Sequence, residues 1–239
     1  MLPERACLVL FCALALSACG TGTVPLEDSP DTPAMLQLPA GASSRALHFE
    51  GELSGGALGF GPSLSLEAWL RSDSWLRADL LYEDENGDPA HDVLIWGPES
   101  ALLFDRRKGR FTELGDGPGE VELKGGAFHV RHALWLALGH WLGSEPLVGS
   151  RRGSSWRARD GEMGIRAKLG RDRAEEMEVV FRGERLRATP KSWVRTSWGQ
   201  IPRETELSGT LLDAPAQLRW TVQEIPVFAD SLLDPLMLP

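Results

Sequence analysis

From Arg45 onward, apolar and polar side chains alternate over short runs separated by turn residues. Met163, Ile165, Ala167 and Leu169 fall on one face of such a run, with Arg166 and Lys168 on the other. Met177, Val179 and Phe181 oppose Glu176 and Glu178, and Leu218, Trp220 and Val222 oppose Arg219, Thr221 and Gln223. A period of two with one wet face describes antiparallel strands. The pattern predicts strands at 46–54, 63–71, 75–83, 90–97, 100–106, 109–114 and 119–124. After a helix it predicts 154–160, 162–170, 175–182, 184–189, 191–198, 203–211 and 216–224. Asn86-Gly87 between two apolar runs is a strong hairpin signal. Gly61-Pro62, Gly97-Pro98, Asp160-Gly161 and Arg182-Gly183 mark further turns, and strands joined so tightly must run antiparallel.

The first half departs from simple alternation. Trp69-Leu70, Leu80-Leu81, Val93-Leu94-Ile95-Trp96 and Leu102-Leu103-Phe104 are apolar on both faces. Such strands need cover on two sides, from a helix, a bound ligand or curvature of the sheet. One helix is predicted, over 127–142, rich in Ala and Leu and ending before Gly143. Its apolar side chains occupy nearly the whole circumference, so it is expected to be buried. A single helix of this kind in an antiparallel protein best fills the concavity of a curled sheet.

The start of the chain reads differently. An apolar run from Ala6 to Ala15, flanked by Arg5, has the form of a secretory signal and is too short to span a bilayer, which takes about 20 residues. Leu16-Ser17-Ala18-Cys19 matches the lipobox of bacterial lipoproteins, which implies cleavage before Cys19, diacylglycerol on its sulfur and acylation of its new amino group. Neither Cys7 nor Cys12 follows such a triplet. Gly20 stands where aspartate commonly signals inner-membrane retention, so the outer membrane is the expected location. Residues 20–44 carry Pro25, Pro30, Pro33 and Pro39 with little apolar periodicity, the composition of an extended tether. The expected organisation is a signal peptide over 1–18, a lipidated cysteine and tether over 19–44, and one domain over 45–239.

Composition then closes several functional classes. With the signal removed, Cys19 is the only cysteine, so the domain holds no disulfide, thiol nucleophile or cysteine metal ligand. The chain carries a formal charge of −9, with 9 basic and 20 acidic residues over 20–148 and 15 basic and 13 acidic over 149–239. The arginines of the second half alternate with acids, which gives no basic face for nucleic acid. Arg106-Arg107-Lys108-Gly109-Arg110 reads as a solvated hairpin end. Nine tryptophans stand against one tyrosine; their large apolar rings with one edge donor suit cores, ligand cavities and bilayer interfaces alike.

No Gly-x-Ser-x-Gly, His-Glu-x-x-His, Walker or dinucleotide signature occurs. His129 and His132 would sit three apart on the helix, and His140 about 16 Å further along from His129. No carboxylate on that helix completes a metal site. Asp84-x-Asn86-x-Asp88 begins like a calcium loop, but Pro89 and Ile95 stand where that loop needs glycine and glutamate. The expectation is therefore a protein with no enzymatic activity, no metal and no cofactor.

The order of segments along 45–239 resembles the LolA/LolB superfamily of bacterial lipoprotein carriers. The opening strand ALHFEGELS is followed by SLSLEAWLRS, WLRADLLYEDENGDP and VLIWGPESALLFDRRKGRF. Then come the helical ALWLALGHWLGSEP and the closing GQIPRETELSG and AQLRWTVQEIPVFADSLLDP. The resemblance implies a mostly β fold, an antiparallel, half-open β-barrel with a helical lid, and an apolar cavity that takes acyl chains. Carried over position by position, the cavity would be lined by Leu64, Leu66, Trp96 and Phe104 on early strands. Leu134, Trp135, Leu138 and Trp141 would line it from the helix, and Ile165, Val179, Phe181 and Trp220 from later strands. Its expected partners are the membrane through Cys19 and the acyl chains of lipids or lipoproteins; the alternative is an assembly lipoprotein that contacts an envelope protein. Two features differ from LolB-type proteins. The region before the first strand is proline-rich where they have a helix, and the hairpin at Asn86-Gly87 is acidic where they carry an apolar loop residue.

Overall fold

The structure is a computed structural model that describes residues 32–55, 63–73, 75–84, 86–97, 101–113, 120–123, 126–142, 147–210 and 214–233. Six strands form the first half: β1 (Arg45–Gly55), β2 (Ser63–Arg71), β3 (Leu76–Glu83), β4 (Pro89–Trp96), β5 (Ala101–Asp105) and β6 (Arg110–Glu113). A small hairpin, β7 (Glu120–Leu123) and β8 (Gly126–His129), leads into helix α1 (Val130–Leu138). Seven strands follow: β9 (Gly149–Arg152), β10 (Ser155–Asp160), β11 (Met163–Leu169), β12 (Ala174–Phe181), β13 (Glu184–Thr196), β14 (Gly199–Ser208) and β15 (Ala216–Pro226).

Among the described residues, all strands but β7 and β8 join one thirteen-stranded sheet, ordered β6-β5-β4-β3-β2-β1-β15-β14-β13-β12-β11-β10-β9. Two antiparallel meanders meet at its centre, where β1 pairs with β15 from Arg45↔Pro226 to Gly55↔Ala216. Their free edges are β6 and β9, so the sheet is an open half-barrel. No helix among the described residues is long and apolar enough to cross a membrane.

The strand pattern holds nearly throughout, with differences that have local causes. The predicted strands at 184–189 and 191–198 are one strand, β13, which continues through Pro190 because the register slips there; a bulge is where a sheet tolerates a residue without an N–H. The predicted helix over 127–142 is shorter at both ends. Residues 126–129 form β8 instead, paired with β7 through Val121↔Phe128, so His129 and His132 do not share a helix. At the other end Gly139 adopts φ +71° and its N–H donates to Trp135 O at 2.9 Å, the left-handed cap that glycine supplies at least cost.

The folded part also begins before Arg45. Short 3-10 turns at Ala34–Leu36 and Ala40–Ser44 lie against the domain, with Leu36 wholly buried in the core. Thr32 Oγ1 donates to Leu147 O at 2.7 Å, and Trp141 N donates to Leu36 O at 2.8 Å. The extended tether expected over 19–44 is thus packed on the domain from Thr32 onward.

One large core fills the inner face. Leu47 and Phe49 of β1, Leu64 and Leu70 of β2, and Leu80 of β3 join Ile165, Met177, Val179, Leu186 and Leu218 from the second half and Trp135, Leu136 and Leu138 from α1. A second, separate cluster lies on the outer face of β4 and β5, where Val93, Ile95 and Phe104 pack with Trp75 and Leu233. On β4 and β5 the outer apolar side chains therefore take cover from the chain's own C-terminal segment, a 3-10 turn at Asp230–Leu233, while Leu81 of β3 stays exposed.

Candidate functional site

The inner face brings together most of the side chains expected to line a cavity. Leu64, Trp135, Leu138, Ile165 and Val179 have 0% exposure, and Trp96, Phe181, Trp141 and Trp220 are buried in the same cluster. Leu66 and Leu134 are half-buried at its margin. Phe104 is not with them. Register pairs it with Val93 on the outer face, while its neighbour Leu103 faces inward opposite Leu94. In a run of three apolar residues, the strand's period of two decides which side chain enters the interior, and the run Leu102-Leu103-Phe104 left that phase open. A residue with no accessible surface adjoins no space wide enough for a water molecule, so those five side chains line no open space.

Helix α1 lies on the inner face against β12, β13 and β14. As expected of a helix apolar nearly all round, Trp135, Leu136 and Leu138 are buried, and its other described positions are half-buried or better. The Trp135 ring stands 6.1 Å from that of Trp156. Three indole N–H groups, on Trp96, Trp135 and Trp156, are buried with no hydrogen-bond partner among the described residues; an unmet buried donor costs about 1–3 kcal/mol.

Polar contacts tie the start of the helix to the strand beneath it, and a buried histidine follows its end. Asp160, on the β10–β11 turn, accepts from Arg131 Nε at 2.7 Å and is bonded to His132 Nε2 at 2.8 Å. Burial opposes the Asp160 charge, yet the His132 bond and the Arg131 guanidinium outweigh it and hold the carboxyl below the usual range. His140, after the helix, is buried with Nδ1 3.0 Å from Leu138 O. Its burial lowers the imidazole below its ordinary value of 6.5, against the opposing effect of that hydrogen bond. None of these ties had a sequence signal beyond the presence of the histidines, because Asp160 is 28 residues from His132.

Two polar groups enter the inner face near the hairpin ends. Tyr82 Oη donates to Asp92 Oδ2 at 2.7 Å, and burial with the adjacent Asp105 raises Asp92 above the usual carboxylate range despite that bond. At the tip itself, Asp84 Oδ1 accepts from the N–H groups of Asn86 (2.8 Å) and Asp88 (3.0 Å), and Arg107 reaches Oδ2 at 2.8 Å. The calcium-like spacing at Asp84 thus serves the turn, with Gly87 at φ +80°.

The outer face of the first half hides an ion pair that the strand pattern also missed. Arg77 has 0% exposure and binds Asp79 through Nε at 2.6 Å and Nη2 at 3.1 Å. Its Nη1 donates to Leu232 O at 2.9 Å, which fastens the C-terminal segment across β3. His91 Nε2 lies 2.8 Å from Asp79 Oδ1, the oxygen that Arg77 Nη2 also contacts.

No protein-family model and no curated protein matches the sequence. Solved structures do match the fold. A domain from Vibrio parahaemolyticus described as an outer-membrane lipoprotein-sorting protein aligns over 80% of this chain and 90% of its own, with 8% identity and a TM-score of 0.51. A DUF1329 family protein from Desulfovibrio piger aligns over the same shares with 4% identity and a TM-score of 0.51. A LolA superfamily protein from Nitrosomonas europaea has 7% identity and a TM-score of 0.47, over 83% of this chain and 92% of its own. At these identities the likeness concerns architecture: the chain has an open, antiparallel half-barrel fold similar to that of the first two of these structures.

Proposed function

We propose that this protein is a lipid-anchored lipoprotein of the outer membrane whose half-barrel interior receives acyl chains, as a carrier or acceptor of lipids or lipoproteins. The observation that carries this reading is the continuous apolar interior roofed by α1, in a fold similar to that of a domain described as a lipoprotein-sorting protein. Transfer of methylenes from water to such a surface contributes about 0.8 kcal/mol each and needs no covalent chemistry. The indole N–H groups of Trp96, Trp135 and Trp156, without partners among the described residues, would supply donors for the ester or carboxyl oxygens at the head of a chain. Entry of a chain beneath α1 would move the helix off β12–β14 and release the Asp160 contacts.

Cys19 would be the anchor. It lies outside the described residues, which begin at Thr32.

The tight packing favours a second reading, an assembly lipoprotein that keeps its interior shut and contacts an envelope protein. Mass spectrometry of lipid co-extracted with the purified protein, with uptake of a fluorescent fatty acid, separates the two. Stoichiometric lipid and saturable uptake support the carrier. Absence of both, in a protein whose circular dichroism shows an intact sheet, leaves the assembly reading.

A further inference from the structure

On the outer face, cross-strand register sets three carboxylates side by side, with Glu50 of β1 opposite Glu67 of β2 and Glu67 opposite Asp79 of β3. Like charges at directly opposed positions destabilise a sheet. Asp79 is compensated by Arg77 and His91. Glu50 and Glu67 converge instead on one imidazole, with His48 Nε2 at 2.9 Å from Glu67 Oε1 and 4.0 Å from Glu50 Oε1. The cation on the neighbouring strand, Arg219 of β15, is engaged with Glu204 at 3.3 Å.

One ligand atom from each of His48, Glu50 and Glu67 lies within 4.8 Å of the other two. Nitrogen and oxygen ligands about 2.0–2.1 Å from a tetrahedral ion stand about 3.4 Å apart. The two measured distances straddle that value, and Glu50, with 61% of its side chain exposed, is free to swing the remaining fraction of an ångström. The imidazole is already oriented, because its ring stacks on Trp69 at 5.1 Å and 21°, and Trp69 is itself buried.

We propose that His48, Glu50 and Glu67 form a binding site for a divalent metal ion of the zinc class, on the opposite side of the sheet from the apolar interior. One imidazole and two carboxylates suit a borderline ion, and two carboxylates beside a neutral histidine match its charge. Glu50 faces solvent, so the ion keeps an open position for water or a donor from another molecule.

The test is equilibrium dialysis of zinc chloride against the full chain in detergent, after treatment with a chelator, on wild type, Glu50→Gln and His48→Gln. The expected result is one saturable zinc that Glu50→Gln weakens about tenfold or more and His48→Gln removes; loss of an outer partner alone costs metal sites about 10–100-fold. Glu50→Gln changes an exposed side chain and keeps the test valid if the histidine variant misfolds. The proposal is overturned by an absence of saturable zinc, or by zinc that both variants bind as tightly as wild type.

Discussion

The two wings of the sheet solve different problems. The second wing, β9–β15, alternates cleanly, and its outer face carries exposed ion pairs such as Lys168–Glu175, Arg187–Glu176 and Lys191–Glu206. The first wing is buried on both faces over Leu76–Leu80 of β3 and the facing stretch of β4, with Arg77 and Asp79 locked under the C-terminal segment. Apolarity on both faces of the first wing thus reflects cover by the chain itself, and the roofing helix sits on the wing with the simpler pattern. An excess of apolar positions in a strand is evidence of cover, and the coordinates decide whether chain or ligand provides it.

Perturbing equivalent chemistry on the two wings should expose that difference. Arg77→Met leaves Asp79 buried without its main partner and is expected to cost about 3–5 kcal/mol in urea unfolding. Trp135→Ala, which empties the interior beneath the second wing's helix, should cost a similar amount, about 3–5 kcal/mol. Lys191→Ala on the second wing's wet face should cost at most about 1 kcal/mol, and less in high salt. A loss at Lys191 as large as that at Arg77 would erase the distinction between the wings.

The smallest effect concerns pH. His140 is held below its ordinary value of 6.5 by burial, so the unfolded chain binds more protons just below that value. Stability should therefore rise with pH through this window and decline as the pH falls below about 6.5. His140→Gln should flatten this part of the profile of thermal midpoint against pH, while an unchanged profile would remove His140 from the account.

Much of the fold was legible in the sequence because a half-barrel of tight hairpins repeats one local rule. Strand ends fell within a few residues wherever Asn86-Gly87, Asp160-Gly161 or Arg182-Gly183 set a turn. The failures lie where local pattern and tertiary pairing diverge. Residues 126–129 carry helix-like composition but pair with β7, and Pro190 reads as a break but sits in a bulge. Leu36 lies in the short apolar stretch Ala34–Leu38 between prolines, too short for a periodic signal, yet it is wholly buried. For the candidate site, eleven of the twelve proposed positions fall in or against the inner cluster and Phe104 does not. Such agreement places side chains on a face and says nothing of a cavity, since core packing and ligand lining use the same residues.

Photo-crosslinking from inside and outside the sheet tests the central claim most directly. A benzophenone side chain in place of Leu66, at the margin of the interior, is compared in the native envelope with one in place of Leu81, exposed on the outer face of the adjacent strand. Acyl-bearing adducts at Leu66 and none at Leu81 are the predicted result. Adducts at Leu66 confined to the chain itself, or equal lipid labelling at both positions, would contradict an interior that receives acyl chains.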